Sequence, residues 1–325
     1  MKAIDRQTVR GGRSWLVVLG WSAGAIAAAS APAAALAAAA AAVEVKQADF
    51  VTAEQATESL ITAMRGDQRA ELLRILGPDG RDLVYSGDRI EDREAQLHLV
   101  AAYDAAHHLE GEADGIATLV VGSEAWSWPI PIVRQSDRWR FDTAAGLQKI
   151  IDRRVGNNEL NVIEVCRAYV AAQREFASMT RLANGAPEFA QHFTSSPGQH
   201  NGLYWAAAAG GTQSPLGPLV AAARAEGYTV NAGGDSHAPY HGYYYRILAG
   251  QGTHASGGAR DYIIDGHMTG GFALLAYPAK WGDSGIMSFL VNQNGIVFEK
   301  NLGPDTAKLA QQTTLFDPDL SWTAP

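Results

Sequence analysis

The sequence predicts an α+β protein in which helices and an antiparallel meander are followed by a long helix and a small antiparallel sheet. Apolar residues recur at helical spacing in several segments, and other segments alternate apolar and polar residues with period two. From Glu188 to the end lie 20 of the 34 glycines and 17 of the 28 aromatic residues. Because helix interiors tolerate glycine poorly, this last part should consist of sheet and tight loops.

Composition limits the functional classes. The 325 residues are 47% hydrophobic and 18% charged, which is typical of a folded chain with a substantial core and room for two domains. A net charge of −8 disfavours nucleic acid as a partner. Cys166 is the single cysteine, which excludes an intrachain disulfide and a cysteine-rich metal site. No motif indicates a cofactor.

Residues 1–43 have the pattern of a signal peptide followed by an Ala-rich leader. Four cations (Lys2, Arg6, Arg10 and Arg13) precede 30 residues without charge, and small residues offer cleavage sites. We therefore expect a periplasmic or secreted protein that meets the membrane only transiently. The alternative is an N-terminal helix that is not cleaved and anchors the chain.

We expect two domains after the leader, 44–145 and 146–325. In the first, Thr52 and Gln55 form a capping-box pattern at the start of a helix that ends at Gly66. A second short helix ends at Gly77-Pro78. The remaining segments predicted in this domain are a strand at 81–85, a helix at 91–108 and strands at 116–121, 126–133 and 138–141.

The second domain begins with the longest helical pattern, 144–179. Gly156-Asn157-Asn158 interrupts this pattern and predicts two helices. Cys166 lies in an apolar stripe and is interpreted as a small buried residue. Gln293-Asn294-Gly295 predicts a hairpin with a type I′ turn. The remaining segments predicted are helices at 218–226 and 305–312 and strands at 243–248, 272–277, 286–292 and 296–300.

Several specific runs of residues resemble an uncharacterised bacterial family. They are Tyr240–Leu248 (YHGYYYRIL), Gly270–Leu274 (GGFAL), Ala276–Ala279 (AYPA), Ser284–Phe289 (SGIMSF) and Leu302–Thr306 (LGPDT). The chain is similar over essentially its whole mature length to domain-of-unknown-function family 2950 (DUF2950). The resemblance implies an address in the cell envelope, and it implies no activity and no catalytic residues.

Two weaker resemblances concern architecture. The order of elements over residues 52–142 resembles the cone-shaped nuclear-transport-factor-2-like (NTF2-like) fold, in which strands wrap round a pocket. Its pocket-facing candidates here are Trp126, Trp128 and Tyr103, and the alternative is that they are core aromatics. The helix at 159–179 with the loops and sheet after it is similar to a pilin-like head, although the prepilin cleavage pattern is missing.

Histidines and carboxylates in the second domain are candidate metal ligands. The candidates are Asp235, His237, His241, His254 and His267. Histidine nitrogens and carboxylate oxygens at short spacing can bind zinc or another divalent ion. The alternative is that the histidines are solvated or make structural hydrogen bonds.

Similar residues permit a hydrolytic arrangement. It would combine Ser236 or Ser256 as nucleophile, His237 or His254 as base, and Asp235 or Asp261 as the orienting group. The chain has no G-x-S-x-G elbow.

The aromatic residues Tyr243, Tyr245, Trp126 and Trp128 are candidates for a binding surface, or else for the core. The sequence therefore favours a non-catalytic binding or assembly module with a protein or glycan partner in the envelope. A metal-dependent or Ser/His hydrolase in the second domain is the alternative.

Overall fold

The structure is a computed structural model and describes residues 46–207, 210–229 and 238–325. It contains helices and antiparallel sheets, which confirms the α+β class. In the described part of the chain, no helix combines the length and apolar character that a membrane span requires. The predicted signal peptide lies outside the described residues.

The first half begins with four helices. Their bounds are Ala53–Arg65 (α1), Arg69–Leu76 (α2), Arg81–Val84 (α3) and Arg89–Ala105 (α4). Thr52 caps α1 as predicted, because its hydroxyl accepts a hydrogen bond from the Gln55 N–H at 3.1 Å. The side-chain oxygen of Gln55 in turn accepts a hydrogen bond from the Val51 N–H at 2.8 Å, one residue before the cap.

The predicted strand at 81–85 is wrong, because this segment contains α3. A 3₁₀ turn at Pro78–Gly80 leads directly into α3, and proline favours the first positions of a helix. The Arg154 side chain also donates to the carbonyl of Asp82 at 2.9 Å. This contact comes from 72 residues away in the chain, so local sequence could not reveal it.

Five strands form the first antiparallel sheet. Their bounds are His107–Glu110 (β1), Ile116–Val121 (β2), Trp126–Ser127 (β3), Ile132–Gln135 (β4) and Arg138–Phe141 (β5). The order is β1-β2-β4-β5, and β3 also pairs with β2. The predicted single strand at 126–133 is wrong in its middle, since Pro129 and Pro131 have no N–H to donate. The predicted helix at 91–108 ends early, at Ala105.

A single helix of 37 residues, Thr143–Met179 (α5), replaces the two helices predicted around Gly156-Asn157-Asn158. Gly156 is exposed, and the position of a Cβ there is open. Val155, Asn158 and Val162 continue one buried face through the interruption. Tertiary contact along this face outweighs the poor local helix propensity.

The second half is built round a sheet of four long strands. Their bounds are Tyr243–Leu248 (β6), Ala273–Pro278 (β11), Met287–Asn292 (β12) and Val297–Asn301 (β13). The antiparallel order is β13-β12-β11-β6, and α5 packs against β11, β12 and β13. The smaller elements are Gly217–Ala225 (α6), Gly250–Gln251 (β7), Arg260–Asp261 (β8), Ile263–Ile264 (β9), His267–Met268 (β10) and Thr306–Gln312 (α7).

The predicted hairpin between β12 and β13 is present, but the type I′ turn is wrong. Such a turn needs positive φ at two successive residues, and in this loop Gly295 alone has it, at +80°. The Gly295 N–H donates to the carbonyl of Asn292 at 2.9 Å. This is the pattern of a three-residue loop that ends on a left-handed glycine.

Two apolar clusters form the core. One lies between α1, α2, α4 and the first sheet, and includes Leu60, Ile75 and Phe141. The other lies between α5 and the second sheet, and includes Tyr169 and Phe289. Helix α5 contacts elements of both halves, and residues 44–325 form one compact unit. The boundary between 145 and 146 stays a prediction.

Candidate functional site

A cavity of about 900 Å³ opens between α4, α5 and the first sheet, and we call it the α4–α5 cavity. Residues of α1, α2 and α3 close its inner wall. Most of the wall is apolar and includes Met64, Leu72, Leu76, Val84, Leu99 and Ile150. The described residues therefore border an open, largely apolar cavity within the range of sizes typical of small-ligand pockets.

Trp126 and Trp128 both line the α4–α5 cavity. Trp128 is buried and packs edge-to-face on Phe141, with ring centroids 5.6 Å apart. Trp126 is half-buried, and the Arg153 guanidinium lies 5.0 Å from its ring centroid. Tyr103 instead stacks on His107, with centroids 3.6 Å apart.

Two carboxyl groups lie at the buried inner end of the cavity. Glu91 and Asp92 come from the first turn of α4. Burial raises the pKa of Glu91 to about 7, and the nearby Asp88 adds to the effect. A 3.1 Å hydrogen bond from the Asn158 amide opposes it only partly. Burial also raises the pKa of Asp92, against hydrogen bonds from Ser86.

Asp88 holds the start of α4 to the second half of the chain. One carboxylate oxygen accepts from the backbone N–H groups of Ile90 and Glu91 and caps the helix. The other accepts from the Tyr228 hydroxyl at 2.9 Å and from the Gly242 N–H at 3.0 Å. The inner end of the cavity is thus fixed by contacts distant in sequence.

The cations that line the cavity fall into two groups. Arg154 is engaged, because it pairs with the buried Asp283 and donates to the Asp82 carbonyl. Lys149 and Arg153 are exposed, and among the described residues neither forms an ion pair or hydrogen bond. The cavity therefore has an apolar body, carboxyls of low exposure at one end and, at its rim, two cations without a carboxylate partner. Such an arrangement can bind and orient a ligand.

The described candidate metal ligands contact three different carboxylates. His241 Nε2 lies 3.5 Å from Glu226, His254 Nδ1 3.0 Å from Asp317, and His267 Nδ1 2.7 Å from Glu188. Asp235 and His237 lie outside the described residues. Over the described ranges, no group of three or more His, Cys, Asp or Glu is placed to hold a metal ion. A site that includes Asp235 and His237 stays a prediction.

Of the hydrolytic arrangement, the described residues show a histidine paired with a carboxylate. Asp317 orients the His254 ring, and sequence reasoning missed this residue in favour of Asp235 or Asp261. The hydrogen bond to Asp317 raises the pKa of His254. Within the described chain no serine hydroxyl bonds to this ring, and Ser236 lies outside it.

The two tyrosine candidates lie in β6. Tyr243 is fully buried, and its hydroxyl donates to the Met287 carbonyl at 2.9 Å, which makes it a core residue. Tyr245 is half-buried, and its hydroxyl lies 3.4 Å from the Tyr240 carbonyl. Burial raises the pKa of Cys166 to about 12, so this thiol is not a ready nucleophile.

Sequence reasoning missed Glu91 and Asn158. Asp88, three residues before Glu91, could have been found as an N-cap ahead of a helical pattern. Nothing local in the sequence marks Asn158, whose partners are 67 and 126 residues away.

Comparison with known proteins gives one match. A family model described as "Protein of unknown function (DUF2950)" matches residues 47–324. No curated protein and no solved structure matches the chain.

Proposed function

The chain belongs to the DUF2950 family, a family of unknown function, and we propose that it is an exported, non-catalytic binding protein of the cell envelope. Its ligand enters the α4–α5 cavity and is held mainly by apolar contact. The single observation that carries this proposal is the cavity itself, with about 900 Å³ bordered mainly by apolar side chains that include two tryptophans.

The chemistry of the wall supports binding more than turnover. Apolar side chains with a few polar groups are typical of ligand sites, and tryptophan offers large contact area at low entropic cost. Arg154 is occupied by Asp283, so it stabilises the wall. The hydrolase alternative and the protein or glycan partner remain predictions.

We also propose that the two halves of the chain resemble the NTF2-like fold and a pilin-like head. An NTF2-like arrangement of residues 52–142 is supported by four helices followed by an antiparallel sheet, with a cavity between them. A pilin-like second half is supported only by a long helix on a small sheet. Structure alone does not assign a function to either resemblance.

Export is proposed from residues 1–43. We expect expression in a Gram-negative bacterium to place the protein in the periplasmic fraction, with mass spectrometry showing loss of the leader. Intact Met1 on soluble cytosolic protein would contradict export and leave the binding proposal standing.

Binding can be tested with N-phenyl-1-naphthylamine, an uncharged probe that fluoresces in apolar sites. We expect saturable enhancement with the wild-type protein. Ala95→Trp should fill the cavity from α4 and weaken binding by about tenfold or more, because the probe and the indole compete for one space.

Ala101→Trp is the matched control, since Ala101 is an exposed alanine of the same helix that does not line the cavity. It should leave the affinity unchanged. Absence of saturable binding to the wild type, or equal loss in both variants, would refute the proposed site.

A further inference from the structure

We propose that the ligand of the α4–α5 cavity is an amphipathic anion, whose apolar chain lies against Trp126 and Trp128 and whose acidic head group binds Lys149 and Arg153 at the rim. The inference rests on the proposed function and names the chemical class of its ligand. The head group is a carboxylate or phosphate on an apolar chain.

The two rim cations lie together on one helix face. Lys149 and Arg153 are four residues apart in α5, which places them one turn apart on the same side. Both line the cavity and both are exposed. In the described part of the chain, neither has a carboxylate within 4.0 Å. Their combined charge is therefore available to a ligand.

Arg153 is already ordered before a ligand arrives. Its guanidinium lies over the Trp126 ring at 5.0 Å, a cation–π contact that limits its rotamers. A planar guanidinium held in this way can still donate two parallel hydrogen bonds to a carboxylate or phosphate. Trp126 thus joins the apolar wall to the charged rim.

Arg154, the next residue in α5, has a structural role that Arg153 does not have. Arg154 pairs with Asp283, and it donates to the carbonyls of Asp82 and Leu83. Its charge is neutralised inside the fold, whereas that of Arg153 is not. The contrast assigns the anion to Arg153 and Lys149.

The inner end of the cavity sets the direction of the ligand. Glu91 and Asp92 lie there with little exposure to water, and the lining cation Arg154 is already paired with Asp283. A ligand carboxylate placed at that end would be poorly solvated and would have no free cation to pair with. The acidic head group therefore stays at the rim, and the apolar chain points inward.

The test compares three fluorescent probes that share one apolar chain. They are 11-(dansylamino)undecanoic acid, its methyl ester, and the dansylated amine of similar length. We expect the acid to bind the wild-type protein about tenfold tighter than the ester, since a charge-assisted contact adds to the same apolar burial. The amine should bind most weakly.

Variants of the rim residues then separate the effect of their charge on affinity from the effect of their shape. Removing both rim charges with Lys149→Gln and Arg153→Gln should reduce acid affinity about tenfold and leave ester affinity unchanged. Arg153→Lys keeps the charge and should retain most of the affinity. Arg167→Gln is the control, because Arg167 is an exposed arginine of α5 that does not line the cavity. Thermal melts verify that each variant folds.

Two competitors distinguish the head groups, dodecanoate for a carboxylate and dodecyl phosphate for a phosphate. Displacement by either supports the inference and identifies the preferred acid. Equal affinity for acid and ester overturns the inference while the proposed function survives. Tightest binding of the amine overturns it in favour of recognition by Glu91 and Asp92. Failure of every probe, including the uncharged naphthylamine, refutes the proposed function itself.

Discussion

Replacing Glu91 with glutamine tests whether burial controls the charge at the inner end of the α4–α5 cavity. In the folded protein the pKa of Glu91 is raised from 4.5 to about 7, mainly by burial and then by Asp88. Between these two values the folded state holds a proton that the unfolded state has lost. The free energy of unfolding therefore falls as the pH rises through this window, and levels off above about pH 7.

The magnitude follows from the two pKa values. Each pKa unit corresponds to about 1.4 kcal/mol, so the whole window costs the wild-type protein about 3 kcal/mol, of which about 2.5 kcal/mol lies between pH 5 and pH 8. Glutamine has no proton to lose. It keeps an oxygen that can accept the hydrogen bond from Asn158. Glu91→Gln should therefore gain stability relative to wild type as the pH rises.

Urea denaturation at pH 5 and pH 8 measures the effect as a difference between variant and wild type. Asp283 and Glu94 also have raised pKa values from burial, but they are common to both proteins and cancel in the difference. The control is Glu164→Gln, at an exposed carboxylate paired with Arg167. It should change stability by less than about 1 kcal/mol at either pH. A stability difference for Glu91→Gln that is the same at pH 5 and pH 8 would refute the reasoning.

Four further results are expected. Gly156→Ala should stabilise the protein by about 0.5–1 kcal/mol in denaturant titrations, because the site is open and helical. Gly146→Ala in the same helix should destabilise it, since the new Cβ would lie 2.4 Å from the carbonyl oxygen of Pro129; equal effects of the two variants would contradict this. The Cys166 thiol, with its pKa raised to about 12, should react with a disulfide reagent only when urea unfolds the protein, and rapid reaction of the native protein would disprove its burial. Asn158→Ala should lose about 2–3 kcal/mol of stability by removing one buried and one part-buried hydrogen bond, whereas a change below about 1 kcal/mol would show that water replaces them.

Local patterns predicted the elements whose cause is local. The helix that starts at Thr52 follows from its cap and its apolar stripe. Prediction failed where contacts with residues distant in the chain determine the secondary structure. Gly156-Asn157-Asn158 is a plausible break by propensity, yet burial of Asn158 against Glu91 and Ser284 keeps α5 continuous.

Two residues of the α4–α5 cavity were already candidates in the sequence. The resemblance to the NTF2-like fold made Trp126 and Trp128 candidates for a pocket, and both line the α4–α5 cavity. Glu91 gave no such signal, because charged residues on a helix are usually solvated. Its environment depends on which surfaces the helices present to each other.

By itself, the sequence established the α+β class and membership of the DUF2950 family, since periodicity and motif runs are local properties of the chain. It also carries the export pattern of residues 1–43, which stays a prediction. The tertiary structure decided that α5 is one helix, that a cavity opens beside it, and that the pKa of Glu91 is raised to about 7. These features arise from burial and from contacts between residues far apart in the chain, and burial exists only once the chain has folded.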